Sequence, residues 1–387
     1  MSRWTACLLA TLVLGVAIPA TAAAGGYRVQ TLAEGLDHPW SIAFLPDGRM
    51  LVTERAGRLR ILGPEGLREA PVEGVPEAFV SGQAGLFEVA LDPDFARNQY
   101  IYLSLATGHA RSNHATLVRG RWAGDRLEDV QTLFTAWPGK TGDAHYGGRI
   151  AFLADGTLVM GLGDGFDYRE DAQRLDSHIG TLVRIHTDGS VPDDNPFVGR
   201  SGALPEIYSY GHRNVQGLVY DASNNRLWSH EHGPRGGDEI NLVRAGHNYG
   251  WPLLTDGVDY NGALITPFAE FDGMTGPNWV WTPSIAPSGM ALYTGDLFPE
   301  WRGSLFVSAL AAKKVVRVML AGGRPVSEEA LFTELVNASA TSAWARMARS
   351  TSSPMHPTAG SCGCFRPSDA AARPYRGRRM QAAAATR

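Results

Sequence analysis

An all-β propeller is the fold class that this sequence predicts, and three observations point there. The 387 residues include 45 glycines, 23 prolines and 10 tryptophans, with few long helical patterns. A unit of turn and strand recurs at spacings of roughly 40–60 residues, which suits propeller blades better than a sandwich. Residues 25–335 contain no cysteine, so this body must be held by a large core rather than by disulfides.

The repeats follow one grammar. Asp47-Gly48 leads into a strand over residues 49–54, with a partner over 57–62. Asp92-Pro93-Asp94 separates residues 90–91 from a strand over 100–104. Asp155-Gly156 opens a strand over 157–160, paired with 180–185. Residues 225–228 pair with 238–243, and residues 303–307 with 314–318. Asp-Gly and Asn-rich turns before alternating apolar runs are hairpin signals. Five blades can be counted this way.

The ends differ from the body. Met1-Ser2-Arg3, an apolar run over residues 4–18 and Ala20-Thr21-Ala22-Ala23-Ala24 read as a secretory signal peptide over residues 1–24. The run is short for a membrane anchor. A periplasmic or secreted protein follows, with no membrane span after signal removal. Residues 25–336 form the propeller domain. Residues 337–387 lack a strand pattern, are rich in Ala, Ser and Arg, and read as an aberrant tail. The net charge of −4 gives no electrostatic case for nucleic acid or an anionic membrane. The histidines show no zinc-like spacing, and no glycine pattern for nucleotide phosphates follows a strand.

The densest chemistry lies in Tyr210-Gly211-His212-Arg213-Asn214-Val215-Gln216-Gly217 and His232-Gly233-Pro234-Arg235-Gly236-Gly237-Asp238-Glu239. A cation and an amide precede a Gly-Pro turn and two adjacent carboxylates. These are parts for holding a polyanion and a hard metal together. With Gly142-Asp143-Ala144-His145-Tyr146-Gly147-Gly148-Arg149 and Gly163-Asp164-Gly165, the chain resembles the quinoprotein sugar dehydrogenases of the glucose/sorbosone dehydrogenase family.

That resemblance covers residues 27–335. It implies a six-bladed β-propeller that binds pyrroloquinoline quinone (PQQ) and calcium, and oxidises an aldose at C1 to a lactone for an external electron acceptor. His145 matches the catalytic base, which suits an imidazole that titrates near neutrality. Asp164 matches the carboxylate that orients it. Arg213 and Asn214 match the pair at the quinone oxygens, where a guanidinium can stabilise developing negative charge. Gln83 and Tyr260 match further cofactor contacts, and Lys313 or Lys314 lies near another cofactor loop. Gly233 and Pro234 match the turn whose carbonyls hold calcium, and Glu239 with Tyr249 a second calcium site.

After Leu335 the resemblance stops. Back-translated with GC-rich codons and read one frame over, the residues from Asn337 give Arg-Ile-Arg-Asp-Val-Arg-Val and then two turn-strand units. That hidden text looks like the family's final blade, with the Arg-x-Arg-Asp element that clamps the cofactor's carboxylates. The sequence therefore reads as frameshifted, with the last blade lost or incomplete and cofactor binding weakened. Two other functions stay open here: a non-catalytic propeller that binds carbohydrate or protein, and a calcium-dependent lactonase-like propeller.

Overall fold

The structure, a computed structural model, describes residues 27–29, 31–333 and 364–365. Its main body is five four-stranded antiparallel sheets in chain order. Their first strands are Pro39–Phe44, Leu86–Leu91, Gly147–Phe152, Val215–Asp221 and Pro287–Leu292. These five strands adjoin one another in sequence order, so they form the inner wall of a propeller. Arg28–Val29 and Cys364–Phe365 pair as a separate two-stranded ladder. The expectation of six blades is corrected to five among the described residues. The expected signal peptide over residues 1–24 and most of the tail, including the residues from Asn337 to Gly363 that a shifted frame would rewrite, lie outside the described residues.

The strand pairs expected from the sequence are the two middle strands in four of the blades, and in the second blade the end of the inner strand with the strand after it. Met50–Glu54 pairs with Arg58–Gly63, and Thr157–Leu162 with Thr181–His186. Their side chains alternate between two neighbouring blades, and both faces are buried. Leu158 and Met160 pack toward the second blade with Phe87 and Tyr102, while Val159 packs toward the fourth with Val215 and Leu227. Similar cores join the first blade to the second, around Leu51 and Leu103, and the fourth to the fifth, around Trp228 and Val307. Each fully buried Leu, Val or Phe contributes about 1.5–3 kcal/mol, so these interfaces dominate stability.

Every inner strand carries a register shift against its partner near its start, at Pro39/Ser41, Leu86/Val89, Gly147/Ile150, Val215/Gly217 and Pro287/Gly289. A bulge re-aims a side chain out of the sheet alternation. Here the re-aimed residues meet at the axis. Arg149 donates from Nε to the Gln216 carbonyl at 2.7 Å, from Nη1 to Glu88 Oε2 at 2.9 Å and from Nη2 to the Ser288 carbonyl. Its guanidinium also lies 3.8 Å from the centre of the Trp40 ring. One buried arginine thus touches the inner strands of all four other blades. The loops that enter the inner strands, and those that leave the second strands, gather at this same end.

Candidate active site

His145 sits two residues before the third inner strand, in a left-handed backbone conformation with φ of 50°. Its N–H is held by Gln83 Oε1 at 2.9 Å. Gln83 thus steadies the histidine loop, a role the sequence did not suggest. Nδ1 of His145 lies 2.7 Å from Asp164 Oδ1. A carboxylate there accepts a hydrogen bond from Nδ1–H, which leaves Nε2 as the open, basic nitrogen. Both side chains are buried.

Asp164 is itself fixed from three directions. Its N–H donates to the Arg213 carbonyl at 2.7 Å, Oδ1 also accepts the Phe166 N–H at 2.9 Å, and Oδ2 accepts the Trp251 indole N–H at 2.8 Å. Trp251 comes from a long insertion between the third and fourth strands of the fourth blade, 87 residues from Asp164. Beside the dyad, Lys140 is buried with its Nζ 3.7 Å from the centre of the Tyr146 ring. Burial pulls this lysine down to about 8. A cavity of about 20 Å³ lined by Lys140, His145 and His178 has room for one water.

Arg213 and Asn214 immediately precede the fourth inner strand. Buried Glu231 receives the Arg213 N–H and lies 2.9 Å from His212 Nδ1, which anchors this corner. The Arg213 guanidinium donates to the carbonyls of His232 at 3.1 Å and Gly233 at 2.6 Å, and to the Tyr260 hydroxyl at 3.3 Å. It also lies 5.1 Å from the centre of the Trp251 ring. Its Nε is buried with no partner, and among the described residues no carboxylate lies within ion-pair distance. Asn214 Oδ1 accepts the Gly147 N–H at 3.3 Å and Gln216 Nε2 at 3.1 Å.

The Gly233-Pro234 turn is tight. A Cβ on Gly233 would fall 2.2 Å from the Gly236 carbonyl oxygen, so only glycine fits. Asp238 shapes this turn. It accepts the Gly233 N–H at 2.9 Å and, from the next inter-blade connection, the N–H groups of Ile285 at 2.7 Å and Ala286 at 2.9 Å. Glu239 accepts Asn241 Nδ2 at 2.9 Å and is held well above the usual carboxylate range by burial and by the Glu231 carboxylate. Tyr249 stacks on His212 with centroids 4.6 Å apart, and its hydroxyl donates to the Leu242 carbonyl. Among the described residues, no group of three or more His, Cys, Asp or Glu side chains could hold a metal ion. Lys313 is exposed in the turn after Leu305–Ala309, at the site's end of the propeller, and makes no ion pair among the described residues.

The structure therefore brings together Gln83, His145, Asp164, Arg213, Asn214, Tyr260, Gly233 and Pro234, with Lys313 outside that cluster. Sequence reasoning missed Trp251 and Phe166 as site residues, and singled out Asp238 without foreseeing that it braces the Gly233 turn. Fold and site together define a β-propeller with a carboxylate-bonded histidine near a buried guanidinium that has no carboxylate partner among the described residues. The Glucose / Sorbosone dehydrogenase family profile matches residues 36–338. The aldose sugar dehydrogenase YliI of Escherichia coli is 44% identical over 315 residues, covering 80% of this chain and 84% of that protein. The chain thus belongs to the glucose/sorbosone dehydrogenase family. The apo-form crystal structure of the soluble E. coli aldose sugar dehydrogenase superposes with a TM-score of 0.77 at 41% identity, covering 80% of this chain and 90% of that one. The PQQ-bound aldose sugar dehydrogenase of Streptomyces coelicolor gives 0.65 at 32% identity, covering 79% and 84%. The family places the chain among oxidoreductases that act on sugars.

Proposed function

We propose that this protein is a PQQ- and calcium-dependent aldose dehydrogenase that oxidises the sugar at C1 to a lactone and passes electrons to an external acceptor. The observation that carries this reading is the Arg213 guanidinium, buried near the His145–Asp164 dyad with no carboxylate in ion-pair distance among the described residues. A buried charge is costly unless it is paired. A tricarboxylate quinone is a fitting partner, and the orphaned Nε is one donor left for it. Arg213, Asn214 and Tyr260 would hold such a cofactor, with Lys313 within reach of the same end. The tight Gly233-Pro234 turn suits a calcium ion on main-chain oxygens, and the Glu231–Glu239 carboxylate pair favours a second cation near Tyr249.

When bound, the quinone supplies the acceptor for the hydride leaving the sugar. The rest falls to the chain. His145 Nε2 takes the proton of the C1 hydroxyl, and the Asp164 carboxylate stabilises the imidazolium that forms. Trp251 and the Phe166 N–H keep Asp164 aimed at His145. Gln83 holds the loop that carries the base. Arg213 offsets the negative charge that develops during transfer.

The initial residues support export to the periplasm or beyond. Among the described residues, no helix is long and apolar enough to cross a membrane. The shifted reading frame supports a chain whose carboxylate clamp is incomplete. The test is dye-linked oxidation of glucose and a panel of aldoses with added PQQ and calcium, by the chain as written and by a version with the frame restored from Asn337. Turnover is expected from the restored version, with weaker or no turnover from the chain as written. His145→Asn in the active version should lower kcat by about 10²–10⁴. Absence of oxidation in both versions overturns the reading and favours a binding propeller.

A further inference from the structure

Phe166 occupies a place that its own backbone disfavours. Its φ of 69° lies in the left-handed region, where a bulky side chain is a steric outlier and glycine the ordinary choice. The preceding Gly165 shares that region at 67°. The ring is not buried in a core, since the residue is 47% exposed. It stands edge-on to the His145 imidazole, with centroids 5.1 Å apart and an interplanar angle of 80°. On its other side it lies nearly parallel to Tyr260, at 6.2 Å and 21°. Its N–H is bonded to Asp164 Oδ1, the same oxygen that orients the base. One carboxylate oxygen therefore fixes both the base and the ring beside it.

Nothing in the local fold calls for an aromatic ring there, because the turn and the Asp164 bond need only a backbone. What the ring supplies is an apolar, half-open wall beside the His145 imidazole. An aldopyranose has a C–H face and a polar edge. Aromatic walls take up the first, and a base meets the second. We propose that Phe166 is a specificity-determining residue that packs against the C–H face of an aldopyranose and turns its C1 hydroxyl toward His145 Nε2. This rests on the reading of the protein as a sugar dehydrogenase. It adds the substrate's ring form and the residue that recognises it.

The experiment uses the full chain with Phe166→Gly and Phe166→Tyr, and two readouts that need no turnover. Saturation-transfer NMR with D-glucose measures sugar binding, and thermal denaturation measures Tm. The wild type and Phe166→Tyr should transfer saturation to the sugar C–H protons. Phe166→Gly should lose about tenfold in sugar affinity, the scale of one lost aromatic wall. Its Tm should stay level or rise, because glycine relieves the backbone. Equal binding by Phe166→Gly overturns the inference. So does a fall in Tm that accompanies the binding loss, which would make the ring a structural plug. If the wild type binds no sugar, the inference also falls. The dehydrogenase reading then falls only if dye-linked oxidation with quinone and calcium is absent as well.

Discussion

Arg149 and Arg213 are two arginines of equal burial, each about 4% exposed, with opposite circumstances. Arg149 lies on the axis, paired with Glu88 and bonded to two carbonyls of other blades. Burial lowers it to about 9, still charged at neutral pH. Arg213 lies at the mouth and, among the described residues, is bonded only to neutral oxygens, with Nε orphaned. The first charge is compensated by the fold and belongs to its architecture. The second is left uncompensated, which is what a site for an anion looks like before the anion arrives. Burial alone does not separate structural from functional cations; the source of the countercharge does.

The largest effect that would break this contrast is at the axis. Arg149→Met strands Glu88 in the interior and should cost about 3–5 kcal/mol in chemical denaturation. Adding Glu88→Gln should recover part of that loss. Arg213→Met, by contrast, should change stability by about 1 kcal/mol or less in the absence of ligand, because it removes an unpaired charge together with two carbonyl bonds. Its quinone affinity should nevertheless drop about 10²-fold, read by visible absorbance titration. Equal destabilisation by the two substitutions would erase the distinction.

A smaller effect sharpens it through pH. Burial lowers His230, near the axis, to about 3 from an ordinary value of 6.5. The unfolded chain then binds the extra proton between those values, so stability should fall as pH drops from about 6.5 toward 3. His230→Leu should flatten that slope in denaturation midpoints measured from pH 7 to 4. The smallest effect concerns Glu239, whose raised value acts in the other direction. The folded state holds the proton longer, so stability is lost as pH rises above the ordinary carboxylate value. Calcium should raise Tm at neutral pH by a few degrees in the wild type and less in Glu239→Gln, while a chelator should reverse the wild-type gain.

The middle strands of the blades were legible because both of their faces are buried and Asp-Gly turns precede them, as at residues 47–54 and 155–160. The inner strands were not. Gly147-Gly148-Arg149 and Val215-Gln216-Gly217 are bulged and carry glycine and polar residues, so no alternation marks them. At the site, His145, Asp164, Arg213 and Asn214 were singled out by the resemblance of their motifs to the family. Gln83 was found as a site residue, but its hold on the His145 N–H came only from the structure.

By itself the sequence determined the repeating β architecture and the absence of disulfides in the body, which are set by residue type and short-range spacing that the chain carries locally. Its resemblance to the family singled out His145, Asp164 and Arg213 as the expected base, carboxylate and cation. Only the tertiary structure decided that Trp251 would aim Asp164, that Phe166 would stand against His145, and that Glu88 would neutralise one arginine while another went without. Those outcomes depend on contacts between residues on different blades and long loops. The bulges and crossings that bring them together leave no mark at any single position in the chain.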